Sequence, residues 1–300
     1  MCPEKRGSII WGQIANLSPP VSRKRRKKML RGKKIAVIGG GKMGGALIQG
    51  MISGGLVKPE AVTVADTDET RLGELARSCK VTVTADNREA VRCADVILLA
   101  VKPQNMAEVL AALTGAVPPS ALVISIAAGI ATAFIEERLQ PGIRVVRVMP
   151  NMPALIGEGA AALAPGAHAA EADLKLARHI FDSVGITVEV KEELMDAVTG
   201  LSGSGPGYAF LIIEAFTDAG VRMGLARETA LTLISQSFLG AAKLCLRGEK
   251  PPAELRAMVT SPGGTTLAGL KVLEERKLRE ALVAAVEAAT RRSAELGGRK

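Results

Sequence analysis

From Lys33 onward the chain alternates short apolar runs with amphipathic stretches. Lys33–Ile38, Val62–Ala65, Val81–Val83, Val96–Ala100, Leu122–Ser125 and Arg144–Val148 are runs of strand length rich in β-branched residues. Helical spacing separates most of them, at Gly45–Ile52, Asp68–Cys79, Glu89–Cys93, Gln104–Leu113 and Ala131–Leu139. Helices that alternate with these strands cover both faces of the sheet. Strands that alternate with helices predict right-handed crossovers and a parallel sheet. Ala160–Ala164, a helix over Glu171–Val184 and Thr187–Val190 extend this unit.

After Glu192 no further strand-like run occurs. Leu211, Ile212, Ala215, Ala219 and Val221 lie near helical spacing, as do Leu231, Ile234, Phe238 and Ala241, and later Leu282, Val286 and Ala289. Gly224, Gly248 and Pro251–Pro252 punctuate them. Helices this rich in Ala, Gly and aliphatic residues pack against more than one neighbour. A monomer would leave much of that surface wet, so a helical dimer interface is expected.

Composition narrows the function. With 300 residues, 48% hydrophobic, the chain can bury a sizeable core. No run reaches the roughly 18–20 uninterrupted apolar residues of a membrane span. Five Phe, one Tyr and one Trp are too few for base-stacking platforms. Cys2, Cys79, Cys93 and Cys245 form no C-x-x-C pair, which argues against a structural zinc site or a disulfide framework and suits a reducing cytoplasm. No metal site is expected. The net charge of +9 is uneven: residues 1–32 carry nine Lys/Arg and one acid, +8, leaving 30 basic and 29 acidic residues, +1. Residues 1–32 therefore read as a basic, disordered extension, or as a product of translation begun upstream of Met29. A nucleic-acid arm or a targeting segment is the alternative.

Gly39-x-Gly41-x-x-Gly44 follows a strand and opens a helix, and Asp66 lies 22 residues after Gly44, at the end of the second strand. In that context the motif is a dinucleotide fingerprint. Gly39 makes the turn, Gly41 admits the pyrophosphate, and Gly44 lets the helix lie close to the strand. Asp66 suits the ribose hydroxyls of NAD(H), but Arg71, one helical turn on, would offset its repulsion of a 2′-phosphate, so NADH and NADPH both remain open. Ligands of such sheets lie at the carboxyl ends of strands. There the chain has Ala100-Val101-Lys102-Pro103-Gln104, Ser125-Ile126-Ala127-Ala128-Gly129-Ile130 and Met149-Pro-Asn-Met-Pro153. Lys102 is either a surface lysine or a cofactor contact. The fold class is thus α/β: a Rossmann-type parallel-sheet domain over 33–190, then an all-helical dimerisation domain over 191–300.

In the helical part, Ser202-Gly-Ser-Gly-Pro-Gly207 reads as a Ser-capped turn and close helix crossing. Ser261-Pro-Gly-Gly-Thr-Thr-Leu267 opens another helix, and free N–H groups at Gly264, Thr265 and Thr266 would accept a carboxylate. Hydroxyacid dehydrogenases of similar layout use a lysine base on the first long helix of this part, but no lysine occurs between Gly203 and Val221. His168 and His179 read as surface residues. Side-chain base chemistry is poorly supported.

The blocks GGGKMG, AVKPQ, SIAAGI, MPNMPA, DAVTGLSGSGP and TSPGGTTLAGLKVLE, in this order, resemble pyrroline-5-carboxylate reductase over Lys33–Leu296. The resemblance implies a Rossmann domain plus a helical domain that interlocks into a homodimer, often further into rings of dimers. It implies cytoplasmic hydride transfer from NADPH or NADH to the C=N carbon of 1-pyrroline-5-carboxylate, giving L-proline. It further implies that Thr266 donates its hydroxyl to the ring nitrogen and that Ser261 supports it. Gly263, Gly264, Thr265 and Thr266 hold the substrate carboxylate, with Glu192 close to the substrate. Gly39, Gly41, Lys42, Met43, Gly44, Asp66, Asn87, Ala100, Val101, Lys102, Pro103, Ala127 and Ala128 hold the cofactor. Met152 replaces a threonine common in the family, and Met258 stands where some relatives have asparagine. Two other readings are a reductase of the six-membered piperideine carboxylate, and a dinucleotide sensor that contacts nucleic acid through the basic segment.

Overall fold

The computed structural model describes residue 30 and residues 32–298. The basic segment lies outside the described residues, save Leu30 and Gly32. Two compact units are seen: one of residues up to Pro206 together with residues from Ala285 on, and one of Gly207–Ala284. These bounds differ from a division at residue 190. Met195 is fully buried beside Ala162 and Ala164 of the sheet, and the buried Ser293 Oγ donates to Asp196 Oδ1 at 2.8 Å. Residues 191–206 and the end of the chain therefore pack with the sheet.

The first unit is an eight-stranded sheet. Its strands are β1 (Ile35–Ile38), β2 (Val62–Ala65), β3 (Thr82–Thr84), β4 (Val96–Leu99), β5 (Leu122–Ser125), β6 (Arg144–Met149), β7 (Gly159–Pro165) and β8 (Gly185–Glu189), in the order 3-2-1-4-5-6-7-8. The helices are α1 (Lys42–Ser53), α2 (Glu69–Cys79), α3 (Asn87–Val91), α4 (Met106–Leu113), α5 (Thr132–Glu136), α6 (Glu171–Phe181) and α7 (Met195–Val198). Alternate residues of the central strands feed opposite cores. Ile35 and Val37 join Leu47, Ile48, Met51, Leu72, Leu75, Ile180 and Phe181 under α1, α2 and α6. Ala36 and Ile38 join Val91, Met106, Leu110, Leu113 and Ile135 under α3, α4 and α5. This double covering explains the unbroken apolar strands. Burying each of Leu47, Ile48 and Met51 contributes about 1.5–3 kcal/mol.

The parallel pattern is broken at one pair: β7 runs antiparallel to β6, so that β7 and β8 run opposite to the rest of the sheet. Only nine residues, 150–158, join them, with a single 3₁₀ turn at Met152–Ile156, and a parallel return needs a dozen or more. The other strand pairs are parallel. His179 is also not a surface residue. It is 6% exposed on the inner face of α6, beside Leu176 and Ile180, with Nδ1 2.5 Å from the Lys175 carbonyl. Asp173, nearer the start of the same helix, is buried too, and accepts from Arg144 Nη1 at 2.8 Å.

The second unit is helical: α8 (Gly205–Arg222), α9 (Arg227–Arg247), α10 (Pro252–Met258), α11 (Thr265–Glu275) and the start of α12 (Leu278–Leu296). Phe216 of α8 meets Phe238 of α9 edge-on at 6.0 Å, and a Cβ on Gly220 would stand 2.8 Å from that of Ala230. Large apolar side chains stay exposed, among them Phe210, Leu211, Leu233 and Val272. By length and composition α9 could cross a membrane, and 6% of that stretch is buried within the chain.

Candidate active site

The fingerprint loop joins β1 to α1 at the carboxyl edge of the sheet. Gly39 has φ +101, and a Cβ there would lie 2.7 Å from the Ala100 carbonyl oxygen, so only glycine fits. Its N–H donates to Ala65 O at 2.8 Å, and Ala100 N donates to Ile38 O at 2.8 Å, which ties the loop to β2 and β4. A Cβ on Gly44 would collide with the Gly39 carbonyl oxygen. Gly41 differs. Its φ of −62 suits any residue, and a Cβ there meets only Arg71 Nη1, at 3.8 Å. The protein's own packing gives no reason for glycine at 41. Helix α1 begins at Lys42, three residues earlier than the apolar spacing suggests, and no side chain caps it. Lys42 and Met43 therefore stand in its first turn, where amide N–H groups point outward to receive an anion.

Asp66 sits at the end of β2. Its Oδ2 accepts from Gly40 N at 2.7 Å and its Oδ1 from Asp68 N at 3.0 Å. Arg71 reaches back over the loop, with Nη1 3.5 Å from Asp66 Oδ2 and Nη2 3.6 Å from Asp68 Oδ2. Both signs of charge thus meet at the carboxyl end of β2. Asn87 opens α3 behind the cap Asp86, whose carboxylate accepts from Arg88 N at 2.8 Å. Ala100, Val101, Lys102 and Pro103 follow β4, and Lys102 and Pro103 are exposed. Ala127 and Ala128 follow β5, and Ile126 N donates to Leu99 O at 3.1 Å. Gly39–Gly44, Asp66, Asn87, Ala100–Pro103 and Ala127–Ala128 are thereby brought to one edge of one sheet.

The Met149–Pro153 block is tied to the serine-glycine block. Asn151 Nδ2 donates to Ser202 O at 3.3 Å, and its Oδ1 accepts from Ala160 N at 2.9 Å. The serine-glycine block opens α8 at Gly205, directly after a wide helical turn over Thr199–Gly203 in which Ser204 N donates to Thr199 O. The close crossing lies at Gly200, where a Cβ would stand 2.8 Å from the Val286 carbonyl oxygen. Glu192, expected near substrate, has a carboxylate already held. Its Oε1 accepts from Thr132 N at 2.7 Å and its Oε2 from Thr132 Oγ1 at 2.5 Å. Arg147, which sequence reasoning did not single out, lies 3.5 Å from Glu192 Oε1 and is 1% exposed. A charged residue in the middle of the apolar run Val145–Met149 was the available signal.

In the helical unit, Gly264 N donates to Ser261 O at 3.0 Å, Gly263 has φ +71, and Gly264 is the N-cap of α11. No side chain caps α11, so the N–H groups at its first turn, with Thr265 and Thr266, are exposed to an anion. Ser261, Gly263, Thr265 and Thr266 are all exposed. Met152 and Met258 are exposed as well, at 51% and 66%. Among the described residues no group of three or more His, Cys, Asp or Glu could hold a metal ion.

Residues 192–296 match the family model of pyrroline-5-carboxylate reductase dimerisation, and residues 34–129 match that of coenzyme F420-dependent NADP oxidoreductases. Pyrroline-5-carboxylate reductase of Methanosarcina acetivorans is 48% identical over 89% of this chain and 99% of its own length. Among solved structures, a pyrroline-5-carboxylate reductase from Coxiella burnetii superposes with a TM-score of 0.83 at 39% identity, covering 88% of this chain and 98% of that one. Plasmodium falciparum pyrroline carboxylate reductase with NADP bound gives 0.81 at 33% identity, covering 89% and 99%. A fingerprint loop shaped for a dinucleotide, a helical unit of the matching dimerisation type, and this identity along nearly the whole of each relative lead to one conclusion: the chain belongs to the pyrroline-5-carboxylate reductase family.

Proposed function

We propose that the chain reduces 1-pyrroline-5-carboxylate to L-proline with NADPH or NADH, the last step of proline biosynthesis. The observation that carries the cofactor half is Gly41, a glycine its own fold does not need. When bound, the nicotinamide cofactor supplies a hydride to the C=N carbon; a proton goes to the ring nitrogen. The first-turn N–H groups of α1, with Lys42 and Met43, hold the pyrophosphate. Asp66 and Arg71 face the adenosine ribose, Asn87 and Ala100–Pro103 border it, and Ala127 and Ala128 present a small-residue surface to the nicotinamide half.

The Gly264–Thr266 N–H groups bind the substrate carboxylate, Gly263 shapes that turn, and Thr266 donates its hydroxyl to the imine nitrogen with Ser261 in support. Glu192 borders the substrate with its carboxylate pre-set by Thr132 and Arg147. An imine nitrogen is itself basic, so no lysine base is required. Most of the rate comes from orientation of donor against acceptor, and one hydroxyl adds about 10²–10⁴-fold.

We further infer that the exposed apolar helices of the 192–296 segment, α9 included, are covered by a second copy of the chain, with dimers assembling into a decamer, in the cytoplasm. Light scattering reads the assembly. The activity test is imine-dependent loss of absorbance at 340 nm with NADPH and with NADH. Turnover with either supports the reading. No turnover in a folded sample that binds cofactor refutes it, and turnover only with piperideine carboxylate reassigns the substrate.

A further inference from the structure

Arg147 lies in β6, between Ser125 of β5 and Ala164 of β7, with 1% of its surface exposed. Burying a guanidinium is costly, and an apolar side chain of similar volume would fill the same space without that cost. The arginine therefore calls for a reason beyond packing. Its two ends face two acids: Nη1 is 3.5 Å from Glu192 Oε1, and Nη2 is 3.9 Å from Asp196 Oδ1.

Each acid passes the connection on. Glu192 takes the backbone N–H and the hydroxyl of Thr132, and so caps the first turn of α5 from another part of the chain. Asp196 accepts from Ser293 Oγ at 2.8 Å, and Ser293 is itself 4% exposed near the end of α12. One turn later Gly297 lies against Gly129. A Cβ on Gly297 would stand 2.5 Å from Gly129 O, and one on Gly129 would stand 3.2 Å from Gly297 N. Gly129 has φ +76. The loop after β5 is thus held at Thr132 by one arm and at Gly129 by the other, and both arms meet at Arg147. Ala127 and Ala128 lie directly before the Gly129 grip, between it and the end of β5.

We propose that Arg147, Glu192, Asp196 and the Ser293–Gly297 end of α12 form one positioning device for the Ala127–Ala128 segment, and through it for the nicotinamide half of the cofactor. This rests on the reading of Ala127 and Ala128 as cofactor contacts. Arg147 and Ser293 are positioning residues, since they act through the loop.

The test uses the full-length oligomer and two variants: Ser293→Ala and a chain lacking residues 297–300. Amide hydrogen exchange reads residues 126–132. Binding is measured for NADPH and for 2′-phospho-ADP-ribose, which carries the adenosine half without nicotinamide. Exchange at 126–132 rises about tenfold in both variants. NADPH affinity falls about three- to tenfold while that of 2′-phospho-ADP-ribose is unchanged. Ser293→Thr, which keeps the hydroxyl, restores NADPH affinity. Unchanged exchange at 126–132 overturns the device. Raised exchange with unchanged NADPH affinity instead refutes the Ala127–Ala128 contact, and with it the link to the cofactor. Equal loss of both ligands points to general damage and also overturns the proposal.

Discussion

Replacing Gly41 by alanine separates what the ligand requires from what the fold requires. The backbone at 41 has φ −62 and ψ −174, open to any residue, and the new methyl meets only Arg71 Nη1, at 3.8 Å. The folded state gains no clash, and the unfolded chain loses freedom, so stability rises by about 0.4–1 kcal/mol. That corresponds to a Tm increase of about 1–4 °C. Cofactor binding moves the opposite way. A methyl over the first turn of α1 holds the pyrophosphate off its N–H donors. Losing one charge-assisted hydrogen bond costs about 1.5–3 kcal/mol, which is about 10–100-fold in Kd.

Gly44→Ala is the control. Its methyl would overlap the Gly39 carbonyl oxygen and sit 3.5 Å from Ala100 Cβ. Gly39 cannot retreat, because it is itself pressed against the Ala100 backbone. Overpacking of this kind costs about 1–3 kcal/mol, so Tm falls. Differential scanning fluorimetry gives the first quantity and NADPH fluorescence titration the second. A Gly41→Ala protein that binds NADPH with unaltered affinity, or that melts lower than the parent, would refute the reasoning.

Three further outcomes are expected. Thr266→Ala lowers kcat by about 10²–10⁴-fold with cofactor Kd unchanged, read by 340 nm kinetics beside NADPH titration; a collapse of cofactor affinity would move Thr266 away from the substrate. Arg71→Ala leaves Asp66 and Asp68 without their cation, so NADPH affinity drops about three- to tenfold and NADH affinity holds, measured as the ratio of the two Kd values. Deleting residues 1–28 removes eight Lys/Arg and one acid and leaves imine reduction intact while abolishing salt-dependent polyanion binding, checked on a heparin column; loss of reduction on deletion would give the segment a part in catalysis.

The strands of the sheet were legible because both of its faces are covered, and continuous runs such as Val96–Leu99 are a local signal. The fingerprint was legible for a similar reason: glycine spacing, the strand before it and Asp66 after it all lie within a few dozen residues. Boundaries moved where backbone geometry, not hydrophobic spacing, set them. Helix α1 starts at Lys42 because Gly41 can end the loop in extended conformation, although the apolar face begins later.

Other features depend on partners far apart in the chain. The reversal of β7 follows from a nine-residue link that a pattern of apolar residues does not measure. His179 is inside because α6 turns that side toward the sheet, an angle that one histidine in a helix does not report. Arg147 meets Glu192 and Asp196, and Asp196 meets Ser293, 97 residues on. By itself, then, the chain determined its class, its order of elements and the residue types offered to a dinucleotide and a small carboxylate, because those rest on local periodicity and local turns. Only the tertiary structure decided which glycines the packing requires and which it does not, and which charges are buried together, because distance between remote residues arises from packing and not from spacing along the chain.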